Sequence, residues 1–550
     1  MSFDDAARDW ARILGPDRVL TDPADRARYA RTTQAFAATP RAVVLPATTA
    51  EVAEVVRVAA REGVGLHPIS TGKNWGMGAA SPMSDDHVVV DLHGMDAILE
   101  IDEELGYAVV QPGVTQGQLA ARLEELGSRW ILDTTASARD TSLLGNIVDR
   151  GDAFGRLSDR YANCAGLEVV LGDGTVLDTG YAHYDCGPLR HAHKWGVGPA
   201  LDGLFSQSNL GVVTRLAMWL SPKPEHVLGV ILHFRDPALP AVIDGLRALR
   251  QRGVIDCAPH IYNGLRVAGP SAVPREGAFD LEAERAASGR SFDWLASFAL
   301  YGTRAQTRVA MRLVAKTLRG HAKVVSFSRR SVRVFGWAAK LFEMIRLRGL
   351  AGVCRANARG LGVLLDSFSG MPNDGPVSGV AASSRHLEPG ATPTPDLLAY
   401  PDLGMYWLTH AAPLRGQDAA AAAALIRETL REFRVPPHLT FTPVSARALL
   451  LNVTIYFDRD DPARRDAAHR CQDVLSERLG AAGYPPFRAG VHGARHLASA
   501  GNFWPIVQRI RAALDPAGIL SPGRYDPLRS PSLRRPENSD TVDAQPTKAV

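Results

Sequence analysis

The chain has 550 residues, with 62 Lys and Arg against 58 Asp and Glu, a net charge of +4. With 46% hydrophobic and 22% charged residues it has the composition of a folded globular protein, which excludes disorder as the dominant state. So small a net charge gives no general case for nucleic acid or an anionic membrane as partner. Gly 50 and Pro 36 run somewhat above the usual share and point to a loop-rich chain.

The length favours two large domains, or one domain carrying an insertion. The cysteines, Cys164, Cys186, Cys257, Cys354 and Cys471, are scattered and form no C-x-x-C pair. That argues against a disulfide framework or zinc knuckle, and for buried thiols in a reducing, cytoplasmic setting. No ligand set suggests a metal. The start, Met1-Ser2-Phe3-Asp4-Asp5, lacks the apolar run of a secretory signal, and no stretch of about 18 apolar residues occurs. Residues 529–550, rich in Pro, Ser, Asp and Thr, read as a disordered tail.

In chain order, Arg41 to Leu45 reads as a short β-branched strand closed by Pro46. Thr48 precedes an amphipathic helix, Val52 to Glu62, which Gly63 ends. Leu66 to Ser70 reads as a buried strand entering a glycine loop. Strands at His87 to Leu92 and Tyr107 to Gly113 follow, then a helix over Thr115 to Leu126. The order β-α-β-β-β-α favours an α+β fold. Leu167 to Leu177 is a hairpin turning at Gly172-Asp173-Gly174. The pattern changes at Pro222-Lys223-Pro224, where a domain boundary is placed. A strand (Gly229 to Phe234) and a helix (Leu239 to Gln251) follow. Residues 372–402, crowded with Pro, Gly, Ser and Thr, read as a long loop or lid. Then come a helix over Gln417 to Phe433, a strand over Val453 to Phe457 and a helix over Pro462 to Ala481.

Four segments carry chemistry. Ser70-Thr71-Gly72-Lys73-Asn74-Trp75-Gly76-Met77-Gly78 sets glycines after a buried strand, where backbone N–H groups can converge on an anion. It matches neither a P-loop nor a dinucleotide fingerprint. Leu144 to Gly151 offers Gly145-Asn146 to a phosphate, or is a turn with a solvated Asp149-Arg150 pair. Lys194-Trp195-Gly196-Val197-Gly198-Pro199 continues through Asp202 to Thr214, whose Gly-Leu-Phe-Ser-Gln-Ser-Asn-Leu-Gly-Val-Val run is too polar for plain core and too regular for a linker. Leu514 to Arg524 carries Asp-Pro-Ala-Gly-Ile-Leu-Ser-Pro-Gly.

Together, in type and order, the four segments resemble the vanillyl-alcohol oxidase/p-cresol methylhydroxylase family of FAD enzymes. The resemblance covers roughly Ala38 to Tyr525. It implies an α+β fold with a two-part FAD-binding domain (1–223 and a return at 484–528) and an inserted α+β cap, 224–483, that holds the substrate. It implies a cofactor site from Ser70, Thr71, Gly72, Lys73, Asn74, Trp75, Gly76, Ser137, Gly145, Asn146, Gly203, Ser206, Gly211, Val212, Val213 and Arg524.

The chain departs from the family's alkylphenol chemistry. Of two tyrosines and an arginine that bind a phenolate there, only Arg488 remains; Met77 and Phe487 stand at the tyrosine positions. An acid and a histidine of the methylhydroxylase branch fall at Phe441 and Leu450-Leu451. The substrate pocket is therefore expected to be apolar, lined by Met77, Phe487, Phe441, Leu450 and Tyr406, with Arg488 holding a carboxylate, a carbonyl oxygen or the flavin. Tyr400 and Tyr406 fall near the positions where relatives attach FAD covalently; a noncovalent flavin is the expectation. For acid/base work the candidates are Asp140, His492 and His496, the histidines following Arg488 at helical spacing.

The expected activity is removal of a hydride from an activated C–H of a small organic substrate, a benzylic or allylic alcohol, an amine or an alkyl-aromatic. Electrons pass to O2 or a cytochrome-like acceptor. Two alternatives stay open. One is the flavoprotein subunit of a cytochrome-linked dehydrogenase. The other is a flavin fold that binds or cyclises a ligand without net oxidation. A homo-oligomer is expected, with neither nucleic acid nor membrane as partner.

Overall fold

The structure is a computed structural model that describes residues 3–269, 281–289, 291–388 and 390–529. The tail expected from 529 therefore lies, beyond its first residue, outside the described residues.

Local signals set the first elements. Thr48 caps the helix Thr49–Glu62 by accepting from the Glu51 N–H at 3.1 Å, and Gly63 ends it at φ 69°. Thr115 and Gln118 form a reciprocal capping box on the helix Gln116–Glu125. Strands β1 (Val19–Leu20), β2 (Ala42–Val44), β3 (Leu66–Ile69) and β4 (Val88–Asp91) form a sheet in the order β1-β2-β4-β3, with β2 and β3 parallel to β4. β5 (Ile98–Asp102), β6 (Tyr107–Val110), β8 (Cys164–Val170), β9 (Val176–Asp178) and β10 (Val212–Trp219) form an antiparallel sheet ordered β5-β6-β10-β8-β9. β8 and β9 are the hairpin read at Gly172-Asp173-Gly174. Between these sheets' strands, β7 (Trp130–Ile131) pairs with β11 (Ser221–Pro222).

After β11 the chain enters a third sheet. It contains β12 (His226–Phe234), β13 (His260–Asn263), β14 (Trp294–Gly302), β15 (Lys323–Phe327), β16 (Leu403–Pro413), β17 (His438–Thr442), β18 (Ala448–Asp458) and β19 (Pro486–Arg488). Their order is β15-β12-β14-β13-β17-β18-β16-β19. β19 pairs with β16, so this sheet extends past position 484. The chain then returns to the first sheet, where the Leu66 N–H donates to the Ile519 carbonyl and the Ser521 N–H to the Leu66 carbonyl, both at 2.7 Å. The α+β architecture expected from the sequence is what forms.

One face of the eight-stranded sheet packs the largest core against the helices Leu239–Gln251, Gly416–Glu432 and Pro462–Ala481. Trp294, Ile261, Leu439, Phe441, Leu451, Val453, Ile455 and Tyr406 face that core. Successive strand residues point to opposite faces, so their neighbours face the other way, toward the first two sheets. Residues 372–402 are not a bare loop: they hold a helix, Gly375–Ala381, and a turn, Leu397–Ala399. No described helix is long and apolar enough to cross a membrane.

Candidate active site

A cavity of about 360 Å³ lies between the loops of the first two sheets and the second face of the eight-stranded sheet. Its floor comes from Ser70 to Trp75, Ser137, Ser142, Gly145, Asn146, Gln207 to Asn209 and Gly211 to Val213. Its roof comes from alternate strand residues: His260 and Tyr262 on β13, Thr440 on β17, Asn452 and Tyr456 on β18, Met405 and Trp407 on β16.

The floor is built for close approach. Gly72 sits at φ 65° after β3, a conformation that favours glycine. At Gly145 a Cβ would stand 2.3 Å from the Ser70 Oγ, so glycine lets these two segments meet with the Ser70 hydroxyl turned between them. Ser142 caps the short helix Leu143–Val148 by accepting from the Gly145 N–H at 2.9 Å, and the Thr71 Oγ1 accepts from the Ser142 N–H at 3.2 Å.

Asp149 is the hub of the inner end. It pairs with Arg488 and accepts from the Tyr525 hydroxyl; Asn74 Nδ2 donates to it at 3.1 Å, and Arg524 lies 4.0 Å away. Burial alone would raise the Asp149 carboxyl, but Arg488 and Arg524 outweigh it and hold it below the ordinary 3.8. Burial and Asp149 together push the Tyr525 phenol up, so it stays a proton donor. At the roof, His260 Nε2 lies 3.3 Å from Asp152, and its Nδ1 is 3.1 Å from the Ala258 carbonyl. Burial would raise Asp152; the His260 contact outweighs it and lowers its pKa. Phe154 packs on the His260 ring at 4.4 Å between centroids. Arg266 donates to the Tyr456 hydroxyl at 2.5 Å. Among the described residues no carboxylate pairs with Arg266.

The lining suits an oxygen-rich anion. Lys73, Arg266, Arg488 and Arg524 face it against two carboxylates, Asp149 and Asp152. His67 Nδ1, Trp75 Nε1, Ser208 Oγ and Arg488 Nε are buried without a hydrogen-bond partner. Three of these belong to the floor or to Arg488, and unsatisfied buried polar atoms on a cavity wall call for a polar ligand. Residues Ser70 to Trp75, Ser137, Gly145, Asn146, Gly211 to Val213 and Arg524 could therefore hold FAD.

Most cofactor positions expected from the sequence, together with Met77 and Arg488, line this cavity. Eleven expected positions do not. Gly76 is where the loop meets β16: its carbonyl accepts from the Trp407 N–H at 3.0 Å. Gly203 faces open space, and the Ser206 hydroxyl is taken by Arg150 at 2.8 Å. Asp140 is half exposed and paired with Lys73 outside the cavity. His492 and His496 share no helical face, because Gly490 to Gly493 make a turn. His492 Nε2 meets the Phe36 carbonyl at 3.0 Å, and His496 meets Asp473 at 3.1 Å. Burial lowers His492 to about 4. Phe487 offers only its carbonyl, 2.9 Å from Gln207 Nε2.

Register explains the rest. Tyr406 and Phe441 lie on the core face of their strands, with Met405, Trp407 and Thr440 on the cavity face. The Tyr406 hydroxyl accepts from the Ala35 N–H at 3.2 Å and meets His469 at 3.0 Å, outside the cavity lining. Leu450 is buried beyond the cavity's edge, between Ala411 and Thr442. The Tyr400 hydroxyl accepts from the Thr394 N–H at 2.8 Å, and the ring packs with Trp75 and Leu397. The pocket is more polar than expected.

Sequence reasoning missed Asp149, Asp152, His260, Tyr262, Arg266, Asn452, Tyr456 and Tyr525. For the strand residues a signal existed. His260-Ile261-Tyr262 and Asn452-Val453-Thr454-Ile455-Tyr456 alternate polar with apolar at period two, in strands buried on both faces.

Comparison with known proteins agrees with this geometry. A family profile described as "FAD binding domain" matches residues 40–180. The 1'-carboxy-chondrochloren decarboxylase of Chondromyces crocatus is 34% identical over 94% of this chain and 96% of its own length. The 4-cresol dehydrogenase [hydroxylating] flavoprotein subunit of Pseudomonas putida is 26% identical over 95% of both chains. A structure of p-cresol methylhydroxylase with substrate bound superposes with a TM-score of 0.83, at 26% identity over 95% of this chain and 96% of that one. The 4-ethylphenol oxidase of Gulosibacter chungangensis follows at 0.81, with 25% identity over 95% and 97%. The chain is an FAD enzyme and belongs to the vanillyl-alcohol oxidase/p-cresol methylhydroxylase family of FAD-linked oxidoreductases.

Proposed function

We propose that this enzyme oxidises a small organic substrate at an activated C–H, held between the flavin-side loops and the eight-stranded sheet, which acts as the cap. FAD, when bound, accepts the hydride with its electron pair. The observation that carries the reading is the Asp152–His260 pair facing the Asp149–Arg488–Tyr525 network across one cavity. His260 donates from Nε2 to Asp152 and orients it, and the other Asp152 oxygen accepts a proton from a substrate hydroxyl or amine. Asp149 fixes Arg488 and Asn74 so that their remaining N–H groups are directed at the flavin or the substrate, and it takes the O–H of Tyr525. FAD is held noncovalently, since the hydroxyls of Tyr400 and Tyr406 are engaged elsewhere. With Met77 lining the cavity and Phe487 outside it, a simple 4-alkylphenol lacks its phenolate donors and is a poor substrate.

Arg266 favours a second, more specific reading. Its guanidinium enters the cavity beside Tyr456 with no carboxylate partner among the described residues, which suits an anionic group on the substrate. A relative is named for decarboxylating a carboxylated substrate. In such a reaction the hydride leaves one carbon and the neighbouring C–COO⁻ bond breaks. That bond's electron pair becomes the new C=C bond, CO2 departs, and no further oxidant of the substrate is needed. The two electrons then leave for O2 or a protein acceptor; a relative is named as the flavoprotein subunit of a dehydrogenase.

The test is anaerobic bleaching of the flavin by aryl alcohols, amines and alkyl ethers, each with and without a carboxylate, with CO2 trapped. Carboxylated members should bleach it. Arg266→Gln should raise their KM about tenfold, the worth of a charge-assisted hydrogen bond, and leave uncarboxylated members unchanged. Failure of every compound to bleach the flavin overturns the first reading. An equal effect of Arg266→Gln on both sets overturns the second.

A further inference from the structure

The small net charge hides an uneven distribution. Residues 329–360 contain eight Lys and Arg and one acid, Glu343, a net +7, so the rest of this +4 chain is net −3. They form most of two helices, Arg329–Met344 and Arg348–Phe368, joined by Ile345, Arg346 and Leu347. So short a connection makes an antiparallel helical hairpin.

The hairpin is rooted at one end only. Leu365 and Phe368 are buried against Phe154, Ala299 and Phe327, and Arg329 pairs with Asp366 at 2.5 Å. Toward the turn, burial stops: between 340 and 360 only Ala351 is buried. A helix of 21 residues carries that turn about 30 Å from its root. Large apolar side chains gather there. Trp337 is 67% exposed and Met344 73%, and Ile345, Leu347, Leu350 and Val353 are each about half exposed. Val334, Trp337, Leu341 and Met344 recur at three- and four-residue spacing, a single stripe along the helix. Glu343, the one acid, is already paired with Arg355 at 2.7 Å. Arg346 and Arg348 flank the turn with no acidic partner among the described residues.

Exposed apolar groups in this number mark an interaction surface. Its chemistry selects the occupant. A second copy of the chain would meet it across a two-fold axis and set +7 against +7, which like-charge repulsion opposes. The apolar groups sit on a projecting turn, not in a groove that a partner helix could fill. A basic amphipathic helix with Trp, Leu, Ile and Met on its apolar side, too polar to span a bilayer, matches an element that lies in the plane of a lipid interface. We propose that this hairpin anchors the enzyme to an anionic lipid surface, its turn inserted at the headgroup–acyl boundary and its arginines among the headgroups. Phe368 at the root packs on Phe154 in the cavity wall, at 6.0 Å between ring centroids, so the anchor stands beside the active site.

The test uses the full-length FAD-loaded protein and sedimentation with sucrose-filled vesicles. One set is phosphatidylcholine alone; the other contains about one-third phosphatidylglycerol. Binding to the anionic set should be about tenfold tighter and should weaken with salt. The double variant Ile345→Glu/Leu347→Glu, changed at exposed positions far from the cavity, should lose about tenfold in vesicle binding while its FAD content and Tm stay unchanged. No sedimentation with either vesicle overturns the proposal. So does vesicle binding that the double variant leaves intact. A wild-type dimer that the double variant converts to monomer, with no vesicle binding, assigns the face to a second copy instead.

Discussion

Asp149 is the residue on which the flavin side of the cavity depends. Its carboxylate is 12% exposed and that of its partner Arg488 14%, so neither charge has water to fall back on. Asp149→Asn keeps the shape and removes the charge, leaving a buried guanidinium without its counter-ion. Breaking a buried pair in this way costs about 3–5 kcal/mol. The variant should therefore show a clearly lower Tm and release FAD on gel filtration, and adding Arg488→Met should recover part of the loss. An Asp149→Asn protein with wild-type Tm and full flavin would show that the pair is not structural. This residue was not legible in the sequence. Asp149-Arg150 looks like a solvated neighbour pair, but the backbone turns at Arg150, φ 51°, and sends that side chain to Ser206 instead. The partners of Asp149 come from positions 74, 488 and 525, which no local spacing connects.

At the level of elements, glycine loops were legible as a class but not one by one. Gly76 and Gly203 were expected to act alike at the cofactor, and the structure separates them. Gly76 has φ 76°, and a Cβ there would stand 2.9 Å from the Trp407 backbone nitrogen. Gly203 has ordinary φ and nothing within 4 Å. Gly76→Ala should destabilise by more than the ~1 kcal/mol of the backbone term alone, because β16 must shift. Gly203→Ala should be neutral within about 0.5 kcal/mol. Thermal melts of the two variants side by side check this; equal losses would refute the distinction. Strands show the same limit. Tyr406 and Phe441 were expected to line the substrate pocket, but a one-residue step in register turns a side chain from the cavity to the core. The helices at 49–62 and 116–125 were legible because Thr caps and apolar spacing agree there, while 416–432 was legible from its run of alanines and 462–481 from Pro462 at its start. The hairpin 329–368 was not read, since its exposed apolar stripe has no partner within the chain.

For the whole molecule, buried histidines make the fold acid-sensitive, on and around the eight-stranded sheet and also at His67 on β3 and at His191, which burial lowers too. Burial lowers His410 to about 4, His438 to about 3 and His492 to about 4, from an ordinary 6.5. His410 is on β16, His438 on β17, and His492 packs near Tyr406 on β16. A base whose folded pKa is depressed stays neutral in the fold while the unfolded chain takes up its proton. Between pH 6.5 and about 4 the unfolded state thus binds more protons, and stability falls as pH falls. Each tenfold change in proton affinity is worth about 1.4 kcal/mol, so several such groups together make the slope steep. Asp149 and Asp152 add to it lower down: their pKa values lie below 3.8, so their contribution is present above that value and is lost only in stronger acid. The expected profile has a Tm that is flat above about pH 6.5, declines from there to pH 4, and drops further below it. Calorimetry across this range checks the shape. His438→Leu removes one titrating group, so its curve should be shallower between pH 6.5 and 4 whatever its Tm at neutral pH. A slope that this variant leaves unchanged would mean that His438 is already protonated in the fold, and with it that the polar face of the sheet is wetter than its burial indicates.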